Sequence, residues 1–371
     1  MKRATLLAVV LSLTIVPCAR TQEKKDGKDG KDDIAAHNKA LSEAREKGLE
    51  WLAKNQSQEG AWGKTYTIAV TSFACLSFLS HSDEAFDGDN GKVLLRALKF
   101  LMSKQKDGLF EKQGHTWIHG QGFATLALSE AYGRSLTCKF KPDIDMKKIK
   151  ETVGQAVKHI EKNQSTSGGW WYEPGNVAAH EGSTTCCAVQ ALVSANNFGF
   201  ETDEKVLDKG FVYLKKCQTK NGGFNYQLGD NRDMKEGTCG AVATLGLMQK
   251  FDFKVMVEGY KFMLKVTPEQ ISREQWPYYG HFYGCMGMRL LGLEYKEDPE
   301  YSSKTAAYIR TAQKDIMSWQ AKDGSLPVKA WISGQENAGY ATAFGLLSLC
   351  VSEGRLSILN REPPKLPDEK K

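Results

Sequence analysis

The side chains best suited to chemistry gather in five short stretches. They are His115, Trp117 and His119; Trp171, Tyr172, His180 and Glu181; Arg232, Asp233 and Glu236; Tyr278, Tyr279, His281 and Tyr283; and Trp331, Gln335, Glu336, Asn337 and Tyr340. Imidazoles and carboxyls move protons near neutral pH, and Trp and Tyr rings pack against apolar or cationic groups. Each stretch precedes a small residue that opens an apolar run: Thr125, Thr185, Thr238, Gly284 and Thr342. Counted back from these, His119 and Glu336 stand six residues earlier, and His180, Asp233 and Asn337 stand five earlier. If the small residues begin equivalent elements of a ring, the side chains converge. That marks His180, Glu336, Asp233 and His281 as catalytic candidates. His119, Trp117, Trp171, Tyr172, Glu181, Glu236, Tyr279, Tyr283, Trp331 and Tyr340 are the ligand-binding candidates. Loops are polar because they are wet, so for any single member a surface loop is the plainer reading. The weight lies in the set.

Zinc would need His, Cys or Asp ligands. His180, Cys186, Asp233 and His281 supply the types, but none shows a short ligand spacing. The sequence therefore predicts no cofactor, with zinc as the lesser alternative.

The elements that must hold these stretches come from a repeat. Lys47-Gly48, Trp51-Leu52, Gln56, Gly60 and Trp62 return as Arg96-Ala97, Phe100-Leu101, Gln105, Gly108 and Phe110. They return again as Ala156, Ile160, Gln164, Gly168 and Trp170; as Lys209-Gly210, Tyr213-Leu214, Gln218, Gly222 and Phe224; and as Ala312, Ile316, Gln320 and Gly324. The 102 residues between Gln218 and Gln320 span two units, so Gly259 to Leu264 is a degenerate copy without its Gln and Gly. Apolar positions at helical spacing precede each Gly, where a helix must stop. After each loop comes an almost uncharged run: Thr71 to Leu79, Thr125 to Tyr132, Thr185 to Leu192, Thr238 to Leu247, Gly284 to Leu291 and Thr342 to Leu349. Charged first helices belong outside and uncharged second helices inside. The glutamines stand where helix-end carbonyls lack partners, and Trp62 and Trp170 can pack over the junction.

This pattern resembles the QW motif of squalene cyclases, and the chain resembles the terpenoid cyclase and protein prenyltransferase superfamily. More narrowly, it is similar to secreted bacterial proteins with squalene-cyclase-like repeats. The resemblance covers residues 38 to 355. It implies an all-α fold, an α/α toroid of six inner and six outer helices whose central cavity opens at one end. The Asp-x-Asp-Asp acid run of squalene-type cyclases is missing, since Asp143-Ile144-Asp145 is shorter and precedes an outer helix. The zinc triad of protein prenyltransferases cannot be placed by motif.

Lys2 and Arg3, the apolar run Leu6 to Val16 and Pro17-Cys18-Ala19 read as a signal peptide, residues 1–19, with a lipid anchor on Cys18 as the lesser alternative. Export to the periplasm or outside the cell follows, with no stable membrane span after cleavage. Residues 20–37 read as a charged, disordered linker, residues 38–355 as one repeat domain, and residues 356–371 as an extended tail. The net charge of +6 is mild and spread along the outer helices, so no nucleic-acid partner is expected. Of nine cysteines, Cys75, Cys186, Cys187, Cys239, Cys285 and Cys350 fall in the inner runs. They read as buried thiols, with Cys138 and Cys217 the exceptions open to bridging.

Two functions from different classes remain. One is a cyclase-like or prenyltransferase-like protein whose cavity holds a small apolar or isoprenoid-like ligand. The other is a non-catalytic exported scaffold for a peptide, glycan or unknown extracytoplasmic partner. A polysaccharide-cleaving toroid is remoter.

Overall fold

The structure, a computed structural model, describes residues 26–113, 116–329 and 338–365, with side chains from Asp33 onward. By backbone contacts the chain divides into Met1–Ser42 and Glu43–Lys371. In the first unit the described residues are the leading part of helix α1 (Asp26–Lys54). The helix thus reaches back into the Lys, Asp and Gly stretch read as linker. Adding residues to a helix already formed fixes few dihedrals for each bond gained.

The second unit is built from helical hairpins. The outer helices are the remainder of α1, α3 (Gly88–Ser103), α5 (Met146–Lys162), α7 (Glu204–Cys217), α9 (Lys254–Lys265) and α12 (Pro299–Trp319). The inner ones are α2 (Thr67–His81), α4 (Trp117–Thr137), α6 (Gly182–Asn197), α8 (Lys235–Leu247), α11 (Pro277–Glu294) and α13 (Ala338–Cys350). Each inner helix packs on the next, and α13 packs on α2, which closes the ring. This is the all-α toroid that the resemblance implied. Among the described residues the β-structure amounts to the two-residue strands Gln105–Lys106 and Leu109–Phe110 and a few isolated bridges.

The two layers follow from composition. α5 buries Ile149, Val153, Ala156, Val157 and Ile160, one helical stripe, and leaves its lysines outside. In α13 every residue from Gly339 to Cys350 is buried. Outer helices begin with an aspartate that caps free amides: Asp87, Asp145, Asp203 and Asp298 each accept from a first-turn N–H. Hydroxyls inside the ring bond back along their own helices, as Thr125 does to the Gln121 carbonyl at 2.7 Å.

The repeated glutamines are joints between outer helices. Gln164 Nε2 donates to the Gly168 carbonyl at 2.9 Å and to the Val206 carbonyl of α7 at 2.8 Å. Gln56 does the same toward Val93 of α3, Gln218 toward Val255 of α9, and Gln320 toward Ala44 of α1. The loop glycines have φ between +85° and +97°. A Cβ on Gly324 would also lie 2.2 Å from the Lys47 carbonyl, so only glycine fits. Trp62 and Trp170 are buried and donate through Nε1 to the Leu52 and Ile160 carbonyls, each at 2.8 Å. In the degenerate fifth unit a short helix, α10 (Pro268–Ile271), replaces the Gln-Gly loop and packs against α11 and α12.

The C-terminal segment corrects the reading of residues 356–371 as extended. Leu356, Ile358 and Leu359 are buried, and Ser357–Leu359 forms a 3-10 turn. This turn packs against α6 and α11. Ser357 binds buried Glu130 of α4, donating from its backbone N–H at 2.8 Å and from Oγ at 2.6 Å. The eight described cysteines, Cys138 and Cys217 included, are buried and free.

Candidate functional site

Five inner helices begin with a residue that faces one common space. Tyr66, Thr116, Glu181, Met234 and Trp276 are the N-caps of α2, α4, α6, α8 and α11, and all five line a single cavity. Two helical turns further in stand Phe73, Phe123 and Phe344. Each lies six residues after the first residue of its helix, Thr67, Trp117 or Ala338, which places it about 9 Å below the rim. Phe73 stacks on Phe344 and meets Phe123 edge-on, with centroids 4.3 Å and 4.4 Å apart. Val70, Leu214, Tyr279 and Tyr340 complete a wall that is mainly apolar. The cavity measures about 540 Å³, within the range of roughly 300–1,000 Å³ usual for small-molecule pockets.

Polar groups are concentrated near the rim. Glu181 accepts from the Ser183 and Thr184 backbone amides at 2.9 Å and 2.8 Å and from Ser183 Oγ at 2.8 Å, closing the first turn of α6. It is 2% exposed, and burial outweighs these bonds, so its carboxyl titrates above the usual carboxylate range. Glu236, in the first turn of α8, is raised by burial and then by the neighbouring Glu274 carboxylate. The Tyr172 and Tyr226 hydroxyls share a hydrogen bond of 2.9 Å beside Glu181, and burial pushes both phenols up. His119 Nδ1 bonds to Thr116 Oγ1. The Cys186 thiol, on the same wall, is pushed up to about 12 by burial.

The structure divides the candidates drawn from the sequence. His119, Tyr172, Glu181, Glu236, Tyr279 and Tyr340 line the cavity. Glu336 and Trp331 lie outside the described residues, as does His115. His180, Asp233 and His281 do not line it, so the expected convergence of these three is corrected. His180 Nδ1 meets the Tyr213 hydroxyl of outer helix α7 at 3.3 Å. Asp233 is held by Thr219 Oγ1 and by Asn221 Nδ2, which fastens the loop after α7. His281 is buried against α10 and α12, with Nε2 3.0 Å from Ser272 Oγ, which donates in turn to Asp315 at 2.7 Å. Burial lowers this imidazole to about 3. Trp117 is buried between layers against His159, Trp171 rests edge-on against Tyr172, and Tyr283 donates to Gln190 at 2.9 Å away from the cavity. Among the described residues no group of three His, Cys, Asp or Glu side chains is placed to hold a metal.

The miscount has a local cause. Thr71, Thr185, Thr238 and Thr342 stand three or four residues into their helices and accept, or in Thr342's case receive through Oγ1, the amide of the residue two after each loop glycine. Thr125 and Gly284 stand eight and seven residues in. In the second unit Gln121 does what Thr does elsewhere, accepting from the Phe110 amide at 3.0 Å. Counted from Gln121, the signal for the floor was present: Phe73, Phe123 and Phe344 each lie two residues after the residue that receives this amide.

Comparison with known proteins agrees with this architecture. The family model described as the prenyltransferase alpha-alpha toroid domain matches residues 33–225, 145–266 and 260–364. A terpene cyclase–glycosyl transferase fusion protein of Humicola fuscoatra is 22% identical over 208 residues, which is 53% of this chain but only 12% of the fusion protein. Among solved structures, a type II terpene cyclase from Scytonema in complex with geranylgeranyl dihydroxybenzoate superposes with a TM-score of 0.58 at 17% identity, covering 87% of this chain and 100% of the cyclase. An α-1,6-mannanase of Salegentibacter sp. in complex with α-1,6-mannotriose superposes with a TM-score of 0.62 at 10% identity, covering 84% and 98%. At these identities the likeness is one of fold.

Proposed function

This chain belongs to the prenyltransferase alpha-alpha toroid domain family, and from that premise we propose that its cavity holds an apolar, isoprenoid-like ligand. The observation that carries the reading is the cavity wall, where Phe73, Phe123 and Phe344 form an aromatic floor and Val70, Leu214 and Tyr340 add apolar surface. Burying an apolar chain there gains about 25 cal/mol per Å² removed from water. Glu181 and Glu236 are the groups that would give such a ligand chemistry. Burial raises the titration of both carboxyls above the usual carboxylate range, which suits them to exchange a proton with a bound ligand.

A polysaccharide-cleaving function is the second reading, favoured by the same two carboxyls standing in one cavity and by the mannanase likeness. The apolar floor argues against it. Lys2 to Ala19, outside the described residues, we read as an export leader, and no helix among the described residues is long and apolar enough to cross a membrane. The mass of the protein recovered from the growth medium or periplasm tests export.

The test of the ligand uses Nile red, an uncharged apolar dye. Its emission should rise and shift to the blue with the wild type, and farnesol should displace it. Ala69→Phe, which places a ring in the cavity, should abolish both effects with little change in melting temperature. No Nile red signal, together with calorimetric binding of α-1,6-mannotriose, would replace this reading with the glycan one.

A further inference from the structure

Helix N-termini ordinarily attract anions through free amides and the helix dipole. Six inner helices start around this mouth, so a phosphate or carboxylate ligand would be the first expectation. The chain has already supplied its own anions there. Glu181 occupies two first-turn amides of α6 and the Ser183 hydroxyl, and Glu236 stands in the first turn of α8 with Oε1 3.4 Å from the Trp276 amide of α11. Among the described residues lining the cavity there is no Lys or Arg, and His119 is the one side chain able to carry positive charge. The cations nearby in sequence are held in ion pairs, Lys235 with Glu274 and Lys112 with Glu173.

We propose that the cavity selects amphiphiles whose polar end is a hydroxyl or an ammonium, and excludes those ending in phosphate or carboxylate. The inference rests on the reading of the cavity as an apolar-ligand site and adds the charge of the ligand's head. An anionic head at the rim would meet two carboxylates across a poorly solvated space, where charges interact more strongly than in water. A hydroxyl can donate to the remaining lone pair of Glu181 or join the Tyr172–Tyr226 pair. An ammonium gains the carboxylates directly, and Tyr172, Trp276 and Tyr279 in the cavity lining are aromatic residues of the kind that attract cations.

Three probes with one tail separate the possibilities: farnesol, farnesylamine and farnesyl diphosphate, each titrated against protein loaded with Nile red. Farnesol and farnesylamine should displace the dye at concentrations at least about tenfold below farnesyl diphosphate, tenfold being 1.4 kcal/mol of discrimination. Glu236→Gln and Glu181→Gln should each narrow that ratio, and each should weaken farnesylamine more than farnesol. Thermal melts run alongside separate a lost charge from a lost cap. Diphosphate that displaces as well as farnesol overturns the head-group inference and leaves the apolar cavity standing. An unchanged ratio in both variants also overturns it. Failure of all three probes removes the apolar-ligand reading, and this inference with it.

Discussion

Phe73 and Phe344 lie face to face, with ring planes 9° apart and centroids 4.3 Å apart, although they come from the first and the last inner helices. The contact joins the two ends of the helical array at the floor of the cavity, where Ser77 Oγ also donates to the Ala343 carbonyl at 2.8 Å. One pair of rings therefore serves ring closure and cavity shape together.

Phe344→Leu should loosen both. The loss of an aromatic pair is worth about 0.5–1.5 kcal/mol beyond buried area, so the melting temperature should fall modestly. The enlarged floor should weaken Nile red binding in the same variant. A change in melting without any change in dye binding would separate the ring contact from the ligand space.

Substituting the loop glycines should separate strain from helix propensity. Gly324→Ala forces a side chain into a left-handed conformation and against the Lys47 carbonyl, and should destabilise by more than about 1 kcal/mol. Gly154→Ala in α5, where a Cβ meets nothing within 4 Å, should stabilise by about 0.5–1 kcal/mol. Urea melts giving both changes the same sign would reject this account of the loops.

The outer joints should respond in proportion to what they bury. Trp170→Ala empties a fully buried site and removes the bond to the Ile160 carbonyl, a loss of about 3–5 kcal/mol. Gln164→Ala removes two bonds to carbonyls and should cost about 1–3 kcal/mol. Neither residue lines the cavity, so dye binding per folded molecule should stay as in the wild type.

His281 predicts a dependence on pH. Its imidazole titrates at about 3 in the fold, lowered by burial, with Glu269 opposing and Lys329 adding to the effect, against an ordinary value of about 6.5. Between these two values the unfolded chain binds the extra proton. Stability therefore rises with pH across that window and is lost as pH falls from 6.5 toward 3. At pH 4 the loss from this group is on the order of 3 kcal/mol. Glu130 and Glu181, raised by burial, work in the opposite direction, so the comparison must be with His281→Asn. Thermal melts from pH 7 to pH 4 should decline less steeply in that variant, and parallel curves would remove His281 from the account.

Much of this architecture was readable because its determinants are local. A stripe such as Ile149, Val153 and Ile160 identifies an outer helix without reference to the rest of the chain, and Gly168 before Trp170 marks where it stops. The direction of a side chain at the rim depends instead on where the inner helix begins relative to the chosen marker. Thr125 and Gly284 lie about a turn deeper than the other small residues, so counting back from Thr125 sets His119 beside the wrong partners, and nothing in the spacing fixes the direction of His281. His281 packs outward against α10, whereas Tyr279, two residues earlier, lines the cavity. Glu181 was recognised as a rim residue, but its role in closing α6 depends on a backbone turn that spacing does not reveal. The burial of Leu356 to Leu359 was missed because four residues are too few to display a period.

The bond from Gln320 to the Ala44 carbonyl spans 276 residues of chain. The other glutamine joints connect neighbours and can form as soon as two adjacent hairpins exist. This one must wait until every intervening unit is in place, so the rate at which the molecule matures should be governed by a single late docking event, unlike the fast local assembly usual for helical proteins. Once shut, the circle has no frayed terminal unit from which to unzip, and opening requires two interfaces to part together. A chain cut within the loop after α7 should therefore keep its halves associated, whereas one with Gln320 and Gly324 both replaced should open first at that seam, detectable as early hydrogen exchange in α12 and α13.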